Sequence, residues 1–181
     1  MILEEKTLKE ERVFDGRIIT VHSDTISLPN GSTSKREVVK HGGGVCVVAL
    51  DEQNNVYLVR QFRYPYKEAI LEIPAGKLEK GEDPFEAMKR EQQEETGTIS
   101  EKYIDLGKLY PTPGYCSEII YMWLGRITGF TEQNLDEGEF LDVEKIPLDT
   151  LVKMIMNGEI KDAKTQVAIL KTHLLVSQNL I

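Results

Sequence analysis

The sequence predicts a mixed α/β fold, and three observations carry that expectation. Runs at 18–27 and 45–50 are rich in β-branched or apolar residues and have strand composition. They alternate along the chain with helical stretches near 83–96, 148–157 and 162–177. Hydrophobic residues make up 40% of the 181, enough to fill the core of one full-sized domain.

The elements follow in order. The strand at 18–27 is followed by a turn at Pro29-Asn30-Gly31 and a returning strand at 35–40. So small a sheet is marginal alone and needs the rest of the chain or a second subunit. His41-Gly42-Gly43-Gly44 marks a break. Strands at 45–50 and 56–60 then form a hairpin around 51–55, and a short strand at 70–73 stops at Pro74. Asp83 caps a helix whose first position is Pro84 and whose end is Gly97. Strands near 104–109, 119–127 and 140–143 precede the two closing helices. In the last helix Val167, Leu170, Leu174 and Leu175 share one face. The expected division is an N-terminal β element at 1–40 and a main domain at 41–181.

Charge excludes some partners. The chain carries 30 Asp and Glu against 22 Lys and Arg, a formal net charge of −8. A nonspecific binder of nucleic acid or of a membrane surface needs a basic face instead. No apolar run approaches the roughly 20 residues of a membrane-spanning helix. The first six residues lack the basic-then-apolar order of a secretory leader, so the expectation is a cytoplasmic protein. Two cysteines far apart, Cys46 and Cys116, and three histidines suggest neither a disulfide framework nor a zinc site.

Chemistry concentrates at 75–97. Glu91, Glu94 and Glu95 stand at i, i+3 and i+4, so they project from one side of the helix. Three carboxylates near a helix C-terminus repel one another and meet the negative end of the helix dipole. A divalent cation removes both penalties. Arg90 precedes Glu94 by one turn and can steer a carboxylate. A solvated acidic face is the plain alternative for a Glu-rich helix. Upstream, however, lies a loop with two further acids, Glu79 and Glu82, and with Gly76, which lets backbone approach a ligand closely.

The spacing of Gly76, Glu82, Arg90-Glu91, Glu94-Glu95 and Gly97 resembles the Nudix box. The resemblance implies an α/β/α sandwich in which the box forms loop, helix and loop. It implies that Glu91 and Glu95, with the carbonyl of Ala75, hold magnesium or manganese, with Glu94 and Arg90 beside them. It also implies hydrolysis of a nucleoside diphosphate linked to another moiety. Two positions depart from the pattern. Gln92 and Thr98 stand where the family has apolar residues, which puts local packing, rather than the metal assignment, in question. Gln92 implies either looser packing of that helix face or a hydrogen bond to a neighbour.

Other stretches resemble the ADP-ribose pyrophosphatases within that family. Pro113 falls fifteen residues beyond Thr98, in a Thr112-Pro113-Gly114 turn that leads to Glu118. As plain sequence, the Pro-Gly pair suits a type II turn. The resemblance instead makes Pro113, Gly114 and Glu118 substrate-side residues. The run Val59–Pro65 resembles the segment whose arginine, here Arg63, contacts the diphosphate, with Arg60 a less definite candidate; a guanidinium suits phosphate oxygens. Asp136-Glu137-Gly138-Glu139 falls where related enzymes carry late catalytic acids. By position Glu139 is read as the metal-side acid and Glu137 as the base, two roles that could be exchanged.

The resemblance further implies a homodimer in which the N-terminal element crosses to the partner and Arg36 reaches the partner's substrate. Phe14, Arg17 and Ile18 are candidates for holding the adenine. The expectation is therefore Mg2+- or Mn2+-dependent cleavage of ADP-ribose to AMP and ribose 5-phosphate. A GDP-sugar pyrophosphatase of the same superfamily is the alternative. A binding module without activity is disfavoured, because the box acids and the arginine are all present.

Overall fold

The computed structural model describes residues 3–181, so Met1 and Ile2, the start of the expected N-terminal element, lie outside the described residues. The chain divides into two units. One comprises the chain up to Gly43 together with Tyr110–Ile119, and the other comprises Gly44–Leu109 and Ile120–Ile181.

The first unit is an antiparallel sheet. β1 (Lys6–Lys9) and β2 (Arg12–Asp15) pair in turn with different stretches of β3 (Ile19–Ser27), while β4 (Thr33–His41) pairs along the whole of it. The turn before β4 closes on Asn30, whose Oδ1 accepts from the N–H and the hydroxyl of Ser32. β1 and β2 are exposed throughout, and Leu8, Val13 and Phe14 among their residues are apolar. Tyr110–Ile119 is held to β4: Val39 N–H donates to Tyr115 O at 2.7 Å and Ser117 N–H to Val39 O at 2.9 Å. The Thr112-Pro113-Gly114 segment is not the type II turn that its composition suits. Gly114 has no positive φ, and Thr112 O accepts from the N–H groups of both Tyr115 and Cys116, a helix-like closure.

The second unit is a mixed sheet between helices, the architecture expected of a Nudix domain. β5 (Gly44–Leu50) is its axis, buried at every residue. An unbroken apolar strand has no solvent face to offer, which suits the middle of a two-sided sheet. It pairs in parallel with β10 (Ile120–Phe130) over seven residues. Its expected hairpin with β6 (Asn55–Arg63) amounts to two residue pairs, Ala49 with Tyr57 and Leu50 with Val56. β6 then leaves to pair with β7 (Glu68–Glu72) and β11 (Leu141–Pro147). β9 (Thr98–Leu109) closes the far side against β10 and starts earlier than the sequence suggests. The stretch read as loop at Ala75–Lys77 is a short strand, β8, on β5.

Alternate β5 residues serve two cores. Val45 and Val47 pack with Ala87 and Met88 of α1 (Pro84–Thr96). Cys46, Val48 and Leu50 pack with residues of α2 (Leu148–Met156) and α3 (Ala163–Ser177). The buried residues of α3 are Lys164, Thr165, Ala168, Ile169 and Thr172, and Leu174 is 56% exposed. The expected 167/170/174/175 face is therefore only partly right. Val167, Leu170 and Leu175 flank the core, while the inward stripe opens on two polar residues that have partners inside.

Candidate active site

Local rules build the helix that carries the acids. Asp83 Oδ1 accepts from the N–H groups of Phe85 and Glu86, Pro84 opens the first turn, and Gly97 ends the helix at φ 64°. A Cβ at Gly97 would also press on Thr131 O at 2.5 Å. Past β10 the chain returns to cover this end. Thr131 N–H donates to Gly97 O at 2.8 Å, Asn134 N–H to Glu94 O at 3.0 Å, and Gln133 Nε2 to Glu95 O at 2.6 Å. The loop thus satisfies carbonyls that the helix leaves without partners. It then runs on to Asp136–Glu139, a turn closed by Glu139 N–H on Asp136 O with Gly138 at φ 85°.

Arg90 uses its whole fork on carboxylates. Nε and Nη2 donate to Glu82 at 3.1 and 3.3 Å, and Nη1 donates to Glu91 at 2.9 Å and to Glu94 at 2.8 Å. The bond from Arg90, with a further bond from Glu79 N–H, holds the Glu82 carboxyl below the usual carboxylate range. Glu82 thereby pins the loop before α1 to the helix. The Glu91 carboxylate lies against Gly76 so closely that a Cβ there would overlap it.

Glu95 is 1% exposed and accepts from Ala75 N–H at 2.8 Å. Burial pushes its carboxyl up to about 8, and the charges of Glu91 and Glu139 add to that push. Burial also raises Glu91, with Glu94 and Glu139 contributing and Arg90 opposing. Glu139 therefore stands electrostatically with the helix pair, and Gln61 Nε2 donates to it at 3.2 Å. Glu137 shares the turn with Glu139 and is exposed.

Among the described residues no three acidic, histidine or cysteine side chains are already gathered into a cage for a metal. Arg90 instead occupies Glu91 and Glu94. The residues still fit a hard divalent cation. Glu91 and Glu95 are largely buried carboxylates held close to like charge, and the backbone at Gly76 leaves room for one of them. Oxygen-only donors of this kind suit Mg2+ or Mn2+ rather than a thiophilic metal. Cys46 offers no alternative, since burial raises its thiol to about 12.

The other expected residues separate into two groups. Arg60 pairs with Glu144 at 2.5 Å. Arg63 pairs through Nε and Nη2 with both oxygens of Glu72, at 2.5 and 2.8 Å. Arg36, Pro113, Gly114 and Glu118 belong to the first unit. There Arg36 is bound to Glu5 through Nε at 2.9 Å and through Nη2. Glu118 lies 3.5 Å from His41 Nδ1, which also receives Gly43 N–H. Phe14 and Ile18 are exposed.

Gln92 is fully buried and fully used. Its Nε2 donates to Thr98 Oγ1 and Ser100 Oγ at 3.1 and 3.0 Å, and its Oε1 accepts from Tyr103 OH at 3.0 Å. The two departures from the family pattern, Gln92 and Thr98, compensate each other: two polar residues bond where two apolar ones would pack. Glu72, Lys164, Gln61 and Gln133 were not singled out from sequence. Gln61 lies within the Val59–Pro65 run and Glu72 within the short strand at 70–73, neither with a role of its own there, and Lys164 and Gln133 carried no local signal.

A family model described as the NUDIX domain matches residues 40–166, and one described as the nucleoside diphosphate sugar hydrolase N-terminal domain matches residues 5–39. The chain is 42% identical to an ADP-ribose pyrophosphatase of Bacillus subtilis (strain 168), covering 92% of this chain and 91% of that one. It is also 42% identical to a methanol dehydrogenase activator of Bacillus methanolicus, covering 93% and 92%. A GDP-mannose pyrophosphatase of Escherichia coli is 28% identical over 88% of this chain and 90% of its own.

Proposed function

Because the chain belongs to the Nudix domain family, we propose that it is a divalent-metal-dependent pyrophosphatase that cleaves ADP-ribose to AMP and ribose 5-phosphate. The observation that carries the hydrolytic reading is the group Glu82, Arg90, Glu91, Glu94 and Glu95, with Gly76 making room for Glu91. Its specificity rests on similarity along nearly the whole chain to an ADP-ribose pyrophosphatase.

Glu91 and Glu95, with Glu139 and the carbonyl of Ala75, would hold Mg2+ or Mn2+. Bound there, the cation supplies neutralisation of the diphosphate oxygens and of charge on the leaving group. Water adds to one phosphorus, the bond from that phosphorus to the bridging oxygen breaks, and a carboxylate takes one proton from the water. Glu137 is the base in this reading and Glu139 the metal-side acid. Arg90 keeps Glu91 and Glu94 oriented, and Arg63 contacts the diphosphate. Pro113, Gly114 and Glu118 line the substrate, as does Arg60.

The active form is a homodimer in which the N-terminal sheet serves the partner. The exposed Leu8, Val13 and Phe14 of β1 and β2 support that assembly, as does the need of so small a sheet for further cover. Release of Arg36 from Glu5 would then free it for the partner's substrate. Among the described residues no helix is long and apolar enough to cross a membrane. The reading extends to a cytoplasmic enzyme with neither nucleic-acid nor membrane partners, supported by the charge of −8.

A nucleotide-sugar substrate is the second reading, favoured by the match of residues 5–39 and by the GDP-mannose relative. Product analysis over ADP-ribose, GDP-sugars and nucleoside triphosphates, with Mg2+ and with Mn2+, separates the two. ADP-ribose should turn over fastest. Faster cleavage of a GDP-sugar would replace the first reading with the second.

A further inference from the structure

Behind Arg63 lies a buried ion-pair chain that the family box does not include. Glu72, at the end of β7, is 1% exposed and receives Arg63 on one side through both oxygens. On its other side the Lys164 ammonium donates to Oε2. Lys164 is 8% exposed and sits in the first turn of α3, where its Nζ also lies 3.1 Å from Asp162 Oδ1.

Asp162 is itself fixed. Its other oxygen caps α3 by accepting from Thr165 N–H at 2.9 Å and from Thr165 Oγ1 at 2.6 Å. Thr165 Oγ1 in turn accepts from Ile73 N–H at 3.0 Å, on the residue after Glu72. The start of α3 and the end of β7 are therefore locked together by the side chains of Glu72, Lys164, Asp162 and Thr165.

Such a lock leaves Arg63 little freedom. A guanidinium bound edge-on by a carboxylate has its plane set by that carboxylate. Here the carboxylate is set by a buried lysine. Two of the Arg63 nitrogens are engaged, and among the described residues Nη1 has no hydrogen-bond partner. The side chain as a whole is 37% exposed, so Arg63 is not closed off from a ligand. Ala75, three residues after Glu72, donates its N–H to Glu95 at 2.8 Å, which ties the end of this ion-pair chain to the carboxylate cluster.

We propose that Lys164 is a positioning residue for substrate binding: acting through Glu72, it holds Arg63 with Nη1 presented to the diphosphate. A lone Arg63–Glu72 pair would be bidentate but fixed to nothing beyond itself, so the two side chains would be free to shift together. The ammonium of Lys164 removes that freedom. The inference rests on the reading that Arg63 contacts the diphosphate.

The test is a cycle of KM values for ADP-ribose, using the full chain with saturating Mg2+. Lys164→Met removes the charge at similar volume, and Lys164→Gln replaces it should the Met variant not fold. Either should raise KM by about 3- to 100-fold, the span of coupling between contacting residues, with kcat changed little. Arg63→Ala should raise KM as well. In the Arg63→Ala background the Lys164 substitution should add nothing further, whereas a merely structural lysine would impair both backgrounds alike. Equal effects in the two backgrounds, or an unchanged KM in the single Lys164 variant, overturn the proposal and leave Arg63 as a substrate contact. An unchanged KM in Arg63→Ala removes that contact from the proposed function, and the role of Lys164 with it.

Discussion

Gly76 and the Glu91 carboxylate are in direct register: no side chain fits between them, since a Cβ on residue 76 would overlap the carboxyl group. The overlapped atoms are the end of a flexible side chain, so Gly76→Ala should be relieved by swinging Glu91 aside rather than by unfolding.

The expected result for Gly76→Ala is a near-native melting temperature with activity down by about 10²-fold, the scale of loss when a reacting group is misplaced by an ångström. Gly129→Ala is the control, because nothing stands within 4 Å of its added Cβ. Equal activity in both variants would show that the position of Glu91 does not matter to turnover.

Glu95→Gln separates stability from function. The carboxyl is raised to about 8 by burial, so at neutral pH it gains little by being ionised without a cation. An amide oxygen can still accept from Ala75 N–H. With a chelator present, the variant should melt within a few degrees of the parent. Ligand that binds only the folded state raises stability by mass action, so Mg2+ should raise the melting temperature of the parent and not of the variant. Turnover should be nearly abolished. Normal turnover in a folded Glu95→Gln protein would remove Glu95 from the metal site.

The Asp136–Glu139 turn sets a test of the two late acids. Removal of a general base costs about 10²–10⁴-fold in rate, so Glu137→Gln should lower kcat by that order with little change in KM. Glu139→Gln should instead raise the Mg2+ concentration needed for half-maximal rate. The reverse pattern exchanges the roles. Normal rates in both variants send the search for the base back to Glu79, Glu82 and Glu94.

Much of this site was legible because it obeys local rules. Asp83, Pro84 and Gly97 bound the helix in sequence as they do in space, and i, i+3, i+4 spacing alone brings Glu91, Glu94 and Glu95 together. What stayed hidden depends on contacts between distant segments. Glu72, Lys164 and Thr165 read as ordinary positions, and the apolar residues of the last helix drew attention to a face that only flanks the core. Lys164 and Thr165 point inward because partners on β7 and at Ile73 satisfy them, a tertiary fact with no trace in periodicity. The Ala75–Lys77 strand was hidden for a similar reason: its pairing with β5 lies some thirty positions away.

The Glu72 network makes a prediction about acid stability. Burial alone would raise the Glu72 carboxyl, but the bond from Arg63 and the charges of Lys164 and Arg63 outweigh it, leaving the group below its ordinary value of 4.5. The Lys164 ammonium is held above its ordinary value by Asp162 and Glu72, which outweigh burial. For Glu72 the folded state therefore binds its proton more weakly than the unfolded state. Its contribution to stability is fully present above about pH 4.5 and is lost as pH falls through the lower, folded-state value. At pH 7, Glu72→Gln should cost about 3–5 kcal/mol, the usual penalty for leaving a buried partner charge uncompensated. Lys164 carries most of that penalty, because Arg63 is partly open to water, and Asp162, which stays 3.1 Å from Lys164 Nζ, puts the cost at the lower end of that range. Denaturant midpoints for the parent and for Glu72→Gln, measured from pH 7 down to pH 3, should converge below about pH 4.5 as the parent takes up its proton. Lines that stay parallel across that window would mean that Glu72 binds its proton equally well in the folded and unfolded states, so that Arg63 and Lys164 do not hold its carboxyl below the ordinary value.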